Sequence, residues 1–305
     1  MDLADMMRPE VRDFEPYLPG KPIDEVRREL GLKKVVKLAS NENALGTSPK
    51  AKKALAASAG ESFRYPEGPG TLLRRALAKK LGVSDKEVIL GAGSDEIIEV
   101  LAKAFFNRED EIIVSKHAFI RYKMAADLMG ARTLEIPMRN DKHDLQAMAA
   151  RIGAKTKAIF IANPNNPTGT YNTRSEVADF IDAYRASASP SRPPFNVSSA
   201  AQAAARAALE DPAHVRKSAA VAAKGMKYLT GELDELNIPY LRSIGNFILI
   251  DVSPKKGKDV FAGLLKKGVV VRAMDEYGFP ERVRVSVGLP QENAFFIKCL
   301  KELNP

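Results

Sequence analysis

The sequence predicts an α/β protein, with a large domain around a mainly parallel sheet and a smaller α+β domain at its C-terminal end. Three observations lead there. Between residues 87 and 162, short apolar runs alternate with helix-period segments at the spacing of βαβ units. Residues 183–194 (AYRASASPSRPP) break that rhythm. Beyond them an alanine-rich segment and long helical patterns lead into three apolar runs between residues 246 and 287. A chain of 305 residues, 45% hydrophobic and 28% charged, has ordinary globular composition and length enough for two domains.

In chain order, the first 45 residues form an arm, rich in loops, with prolines at 9, 16, 19 and 22 and an amphipathic helix near Ile23–Leu30. A helix over Ser48–Ala57 gains from Pro49 in its first turn, and another runs from Gly70 to Leu81. Strands are predicted at Glu87–Leu90, Glu111–Val114, Thr133–Ile136 and Ala158–Ala162, with helices at Ser94–Phe106, Tyr122–Met129 and Asp144–Arg151 between and after them. Past the break come helices near Ser198–Leu209 and Val215–Leu236 and strands at Asn246–Val252, Val269–Arg272 and Val283–Val287. A helix at Lys258–Lys267 lies between the first two of these strands. The expected division is an arm of residues 1–45, a large domain of 46–210 shortened internally near 185–192, and a small domain of 211–305.

Several function classes fall away on composition. With 47 Lys+Arg against 38 Asp+Glu the net charge is +9, but the basic residues are scattered pairs without aromatic interleaving. That is not the footprint of a nucleic-acid-binding surface, and it suits anionic small ligands better. One cysteine, Cys299, permits no internal disulfide. The N-terminus has no apolar h-region and no run reaches the ~18 apolar residues of a membrane span, so a soluble, cytoplasmic protein is expected.

Chemistry concentrates in short motifs. Gly91, Gly93 and Ser94 of GAGSDE link an apolar run to a helix whose free N–H groups and positive dipole end suit a phosphate, although many ordinary βα turns read the same way. NPNNPTG (Asn163–Gly169) is more specific. Its prolines can continue neither strand nor helix, so the loop presents asparagines at the carboxyl edge of the sheet, where open α/β folds bind ligands. Near the end, RVRVSVG places Arg284 on a strand.

The ordered series NEN (Asn41–Asn43), RYPEG from Arg64, GxGSDE, NPNNPTG, PFNV (Pro194–Val197), HVRKS (His214–Ser218) and RVSVG resembles the histidinol-phosphate aminotransferases, a branch of the fold-type I pyridoxal-phosphate enzymes, along nearly the whole chain. The resemblance implies a homodimer with pyridoxal 5'-phosphate at the subunit interface. It implies amino-group transfer between L-histidinol phosphate and 2-oxoglutarate/glutamate in histidine biosynthesis, with no nucleic-acid or membrane partner. By the same resemblance Ala92, Gly93 and Ser94 approach the cofactor phosphate, and Tyr65 reaches that of the partner subunit. Asn166 bonds the ring hydroxylate and Phe119 stacks on the pyridine, unless Phe119 is a core residue. Arg284 binds the anionic end of the substrate. Arg272 assists it or serves as an ion-pair partner, and Tyr17 and Asn43 close over the substrate. Aromatic-amino-acid aminotransferases and phospho-amino-acid decarboxylases of the same fold share this constellation, and a catalytically inactive ligand-binding relative would retain it.

One part of the pattern is missing. The family continues after NPTG with a strand ending D-E-A-Y, whose Asp keeps the pyridinium protonated, and a strand with S-K, whose Lys forms the Schiff base. Only positions 170–194, 25 residues, separate Gly169 from Phe195, whereas one βαβ unit takes ~30. Asp182 falls in a helical pattern begun by the Thr173/Glu176 capping box, and Lys116 reads as an exposed loop lysine. The catalytic lysine is therefore expected to be absent.

Overall fold

The structure, a computed structural model, describes residues 3–12, 14, 21–182 and 198–304. In chain order the strands are β1 Val36–Lys37, β2 Glu111–Ser115, β3 Arg132–Ile136, β4 Thr156–Ile159, β5 Tyr240–Leu241, β6 Phe247–Asp251, β7 Val269–Val270, β8 Arg272–Met274 and β9 Phe279–Ser286. The helices are α1 Pro9–Arg12, α2 Ile23–Leu30, α3 Pro49–Ser58, α4 Thr71–Leu81, α5 Gly93–Phe105, α6 Arg121–Met129, α7 Leu145–Ala149, α8 Arg174–Asp182, α9 Ser199–Leu209, α10 Pro212–Glu235, α11 Gly257–Lys266 and α12 Pro290–Leu303. The chain groups into two compact units, one of Met1–Ala44, Arg108–Ala186 and Ala220–Pro305, the other of Leu45–Asn107 and Ser187–Ala219.

Among the described residues, all the strands lie in the first unit. A parallel sheet in the order β3-β2-β4 carries the βαβ segment, an antiparallel sheet in the order β5-β6-β9-β8 follows, and β1 pairs parallel with β7. Ile112 and Ile113 on the central strand β2 are fully buried, and Ile113 packs with Ile136, Leu145, Met148 and Phe180. The larger core lies under the antiparallel sheet, where Ile248, Ile250, Val283 and Val285 meet Leu229, Leu264, Phe296 and Leu300. Because side chains alternate along a strand, β9 sends Val283 and Val285 into that core and turns Arg284 to the other face. The predicted helix over Ile23–Leu30 is α2, and it docks by Val26 against Val35, Ala39 and Val270.

The second unit packs α3 and α4 against α9 around Leu73 and Leu90. Ser48 caps α3, and its hydroxyl donates to Asp211 Oδ2 at 2.6 Å.

Some expected elements differ. Residues 87–90 are not a strand: the Ser84/Glu87 capping box winds Asp85–Glu87 into a 3-10 turn, and no described strand pairs with Val88–Leu90. The run Val269–Arg272 is two short strands, because the chain leaves β1 after Val270 and joins β9 from Arg272. Pairing in the fourth predicted strand covers Thr156–Ile159 rather than Ala158–Ala162, and the ladder to β2 closes with the Phe160 N–H bond to the Ile113 carbonyl at 3.0 Å. Helix Asp144–Arg151 shortens to α7, with Asp144 as its cap.

What fixes the carboxyl edge of the parallel sheet is His143, 4% exposed. Its Nε2–H donates to the Ala162 carbonyl at 2.8 Å, so Nδ1 carries the lone pair and accepts from the Ser115 hydroxyl at 2.6 Å. The ring therefore joins the end of β2 to the residue just before the NPNNPTG loop. Burial holds its pKa below the ordinary value of 6.5. Above about pH 6.5 the imidazole is neutral folded or unfolded; below it the unfolded chain takes up a proton that the folded chain resists, so stability falls with pH until His143 protonates in place. In His143→Gln this contribution disappears. Urea unfolding at about pH 7.5 and about pH 5.5 is expected to show a smaller acid loss in the variant than in the parent; an equal loss would contradict the assignment.

Candidate functional site

The site is built on Arg284. Its side chain is 7% exposed, so its charge must be met by acceptors inside the protein. Nη1 donates to Asn166 Oδ1 at 2.6 Å and Nη2 to the Ala39 carbonyl at 2.8 Å, with the guanidinium carbon 5.6 Å from the centre of the Phe247 ring. Three distant stretches of sequence thus converge on one cation: the NPNNPTG loop, the segment before NEN, and β9.

Each stretch is locally fixed. In the loop, Asn163 and Asn172 exchange hydrogen bonds of 2.8 Å, side chain to backbone in both directions, and so close its ends. Asn165, 1% exposed, donates from Nδ2 to Thr168 Oγ1 at 3.0 Å and to the His117 carbonyl at 3.2 Å. The peptides before Pro164 and Pro167 are cis. Gly169 has φ +73°, and a Cβ there would meet Ser243 Oγ at 2.2 Å, so glycine is required twice over. The segment before NEN runs beside β9, where Ser286 N–H donates to the Leu38 carbonyl at 2.8 Å and Ser286 Oγ to Asn41 Oδ1 at 3.0 Å.

Arg272 stands directly opposite Arg284 across the β8–β9 pair. Two like charges in that position repel, and Arg272 has a counter-ion of its own in Glu276 at 2.8 Å. Phe119 is half-buried and meets Tyr122 edge-on at 5.8 Å, while Tyr122 stacks on Phe160 at 4.5 Å. Burial raises the Tyr122 pKa. Phe119 also lines a cavity of about 640 Å³ with Lys116, His117, Tyr277 and Gly278. Asn43 is exposed.

In the second unit, Ala92 caps α5, Gly93 opens it with φ +83°, and Ala92, Gly93 and Ser94 are exposed. The Ala92 N–H donates to the Glu96 carboxylate at 2.5 Å, so one amide expected at a phosphate is engaged by an internal anion. Tyr65 is 91% exposed. Tyr17 and PFNV (Pro194–Val197) lie outside the described residues.

The juxtaposition of Asn166 with Arg284 is what two separate motifs foretold singly. Sequence reasoning missed the Ala39 carbonyl, Phe247, Asn165 and His117. Asn165 carried a signal, its place inside NPNNPTG; the others are ordinary residues whose roles depend on tertiary packing.

With this geometry in hand, comparison with known proteins is informative. The family model for aminotransferase class I and II matches residues 33–189 and 182–294. The chain belongs to that family. A histidinol-phosphate aminotransferase of Caldicellulosiruptor saccharolyticus is 38% identical, over 98% of this chain and 100% of the relative; one from Moorella thermoacetica is also 38% identical, over 97% and 92%. The crystal structure of histidinol-phosphate aminotransferase from Sinorhizobium meliloti in complex with pyridoxal-5'-phosphate superposes with a TM-score of 0.86 at 19% identity, covering 98% of this chain and 97% of that one. Aspartate aminotransferase from Thermus thermophilus with maleate gives 0.80 at 19% identity, covering 98% of each. The superpositions establish the fold, that of the fold-type I aminotransferases, and the sequence relatives the family.

This aminotransferase chain is shorter than its sequence relatives. The first alignment spans 358 positions over 305 residues, leaving at least 53 (358 less 305) without a counterpart here. The two family matches overlap at 182–189.

That gap bears on how the chain fits pyridoxal phosphate. Asn166 and Phe119 are groups that could meet the ring. A Schiff-base lysine is another matter. Every lysine of the chain lies among the described residues, and none is buried. The four half-buried ones are otherwise engaged, Lys21 by Glu29 at 2.5 Å, Lys37 by Glu42 at 3.0 Å, Lys267 by Glu302 at 2.6 Å and Lys142 over the Tyr171 ring at 5.6 Å. Lys116 is exposed, and Asp182 lies in helix α8 rather than on a strand. The residues present do not fit covalent attachment of the cofactor.

Proposed function

We propose that this chain works on the substrates of the histidinol-phosphate aminotransferases, L-histidinol phosphate and 2-oxoglutarate/glutamate, with pyridoxal 5'-phosphate, as a cytoplasmic homodimer of histidine biosynthesis. The buried guanidinium of Arg284, aimed by Asn166 and Ala39, is the observation that carries this reading. A planar fork held by two acceptors keeps its shape for a carboxylate or phosphate oxygen, which an ammonium would not reproduce. The names of the sequence relatives support the choice of substrate. Among the described residues no helix is long and apolar enough to cross a membrane.

Within this reading residues 1–45 are an arm, 46–210 the cofactor-binding domain and 211–305 the small domain. Ala92, Gly93, Ser94 and the partner subunit's Tyr65 serve the cofactor phosphate, and Asn166 and Phe119 its ring. Arg284, Arg272, Tyr17 and Asn43 serve the substrate. The second reading is a chain that binds these ligands without transferring the amino group, and the absence of any buried lysine favours it.

Two measurements bear on these readings. L-histidinol phosphate is expected to bind the purified chain more tightly than phenylalanine in calorimetric titration; the reverse order would sink the substrate assignment. An absorbance spectrum followed by borohydride separates the two readings. A band that borohydride fixes to one lysine supports transfer, and no such adduct, with ligand binding retained, supports binding alone.

A further inference from the structure

Between the end of β2 and Phe119 the chain must leave the sheet, and His117 makes the turn. Its φ is +77°, left-handed backbone that only a few per cent of residues other than glycine adopt, histidine, asparagine and aspartate more often than the rest. Such a conformation persists only where the surroundings over-determine it, and three contacts do so here. His117 Nδ1 lies 2.5 Å from the Tyr277 carbonyl. A carbonyl only accepts, so Nδ1 is the protonated nitrogen. The imidazole lies over the Phe279 ring, centroids 4.1 Å apart and planes 30° apart. The His117 carbonyl accepts from Asn165 Nδ2 at 3.2 Å. Gly278 leaves room for the ring: a Cβ there would stand 3.1 Å from His117 Cε1 and 3.3 Å from Nδ1, at a φ of +74°.

These contacts close a circuit. His117 precedes Phe119 by two residues and holds Asn165, whose neighbour Asn166 holds Arg284. Arg284 lies on β9, and β9 begins at Phe279, on which the His117 ring rests. The loop that carries the aromatic and the strand that carries the arginine are separated by more than 150 residues of sequence, and His117 bonds to both sides. Neither its backbone nor its ring is explained by the parallel sheet, which already ends at Ser115.

We propose that His117 is a positioning residue of the anion site, setting Phe119 and Arg284 in fixed relation through Tyr277, Phe279 and Asn165. The proposal rests on the reading of Arg284 as the substrate's anion anchor. It assigns no chemical step to the imidazole, only the geometry of the groups on either side.

Two variants test it in the full chain. His117→Gly keeps the left-handed backbone and deletes the ring; His117→Asn tolerates that backbone and restores a donor toward Tyr277. In His117→Gly, amide hydrogen exchange at residues 117–122 and 277–280 is expected to quicken while β6 amides keep their rates. The dissociation constant for 2-oxoglutarate is expected to rise about tenfold, as for an anchoring group displaced by a fraction of an ångström. His117→Asn should move both readouts back toward the parent. A filler of space alone would change stability without this rescue. Unchanged exchange and affinity in His117→Gly, or equal losses in the two variants, would overturn the proposal. Should His117→Gly fail to fold, Gly278→Ala displaces the ring instead and carries the same expectations. If the parent chain does not bind 2-oxoglutarate, the substrate reading fails, and the exchange arm still decides whether His117 ties the two sides together.

Discussion

A guanidinium that is 7% exposed sets the terms for the rest of the first unit. Removing one charge from water costs several kcal/mol unless acceptors replace the lost hydration, and Arg284 finds two, a side-chain amide and a backbone carbonyl, from stretches far apart in sequence. Each acceptor has to arrive within hydrogen-bonding distance. The segment before NEN is therefore bonded along β9, and the NPNNPTG loop is closed on itself by reciprocal asparagine bonds and tied to β2 through His143 and Asn165. Loosening any of these leaves a buried charge short of a partner, which costs far more than one ordinary hydrogen bond contributes.

The same constraint explains the polarity of the two sheets around the site. The antiparallel sheet supplies rigidity, with Val283 and Val285 locked in the core so that Arg284 is presented by a strand rather than a loop. The parallel sheet supplies the loops at its carboxyl edge, where Phe119 and Asn166 emerge. Arg272, opposite Arg284, keeps its own carboxylate partner, so of the two facing cations one is held by neutral acceptors and the other is balanced locally.

Much of this was legible beforehand, and unevenly. NPNNPTG could be read because two prolines among asparagines admit few conformations, and Arg284 because a charged residue inside RVRVSVG sits on a strand of alternating period. Helix α2 was legible from its apolar spacing alone. Residues 87–90 misled, since an apolar run declares burial but not a strand, and Leu90 is buried among helices against Leu73, Leu77 and Leu209. His117 and His143 carried no signal: a histidine in a loop looks the same whether it is solvated or holds two strands together, and only tertiary contacts reveal the difference. The expectation of a missing lysine came by subtraction, from the 25 residues between Gly169 and Phe195 that leave no room for the family's next strands.

The chain's frame is that of the fold-type I aminotransferases, and at least 53 positions of its alignment with the Caldicellulosiruptor relative have no counterpart here. The account therefore turns on whether Arg284 is an anion anchor or a buried structural cation. Calorimetric titration of 2-oxoglutarate into the parent chain and into Arg284→Lys decides this. If the fork geometry is the recognition element, the lysine variant binds roughly 10- to 100-fold more weakly, the loss of one good charge-assisted pair. Equal affinity in a folded Arg284→Lys protein would contradict the account.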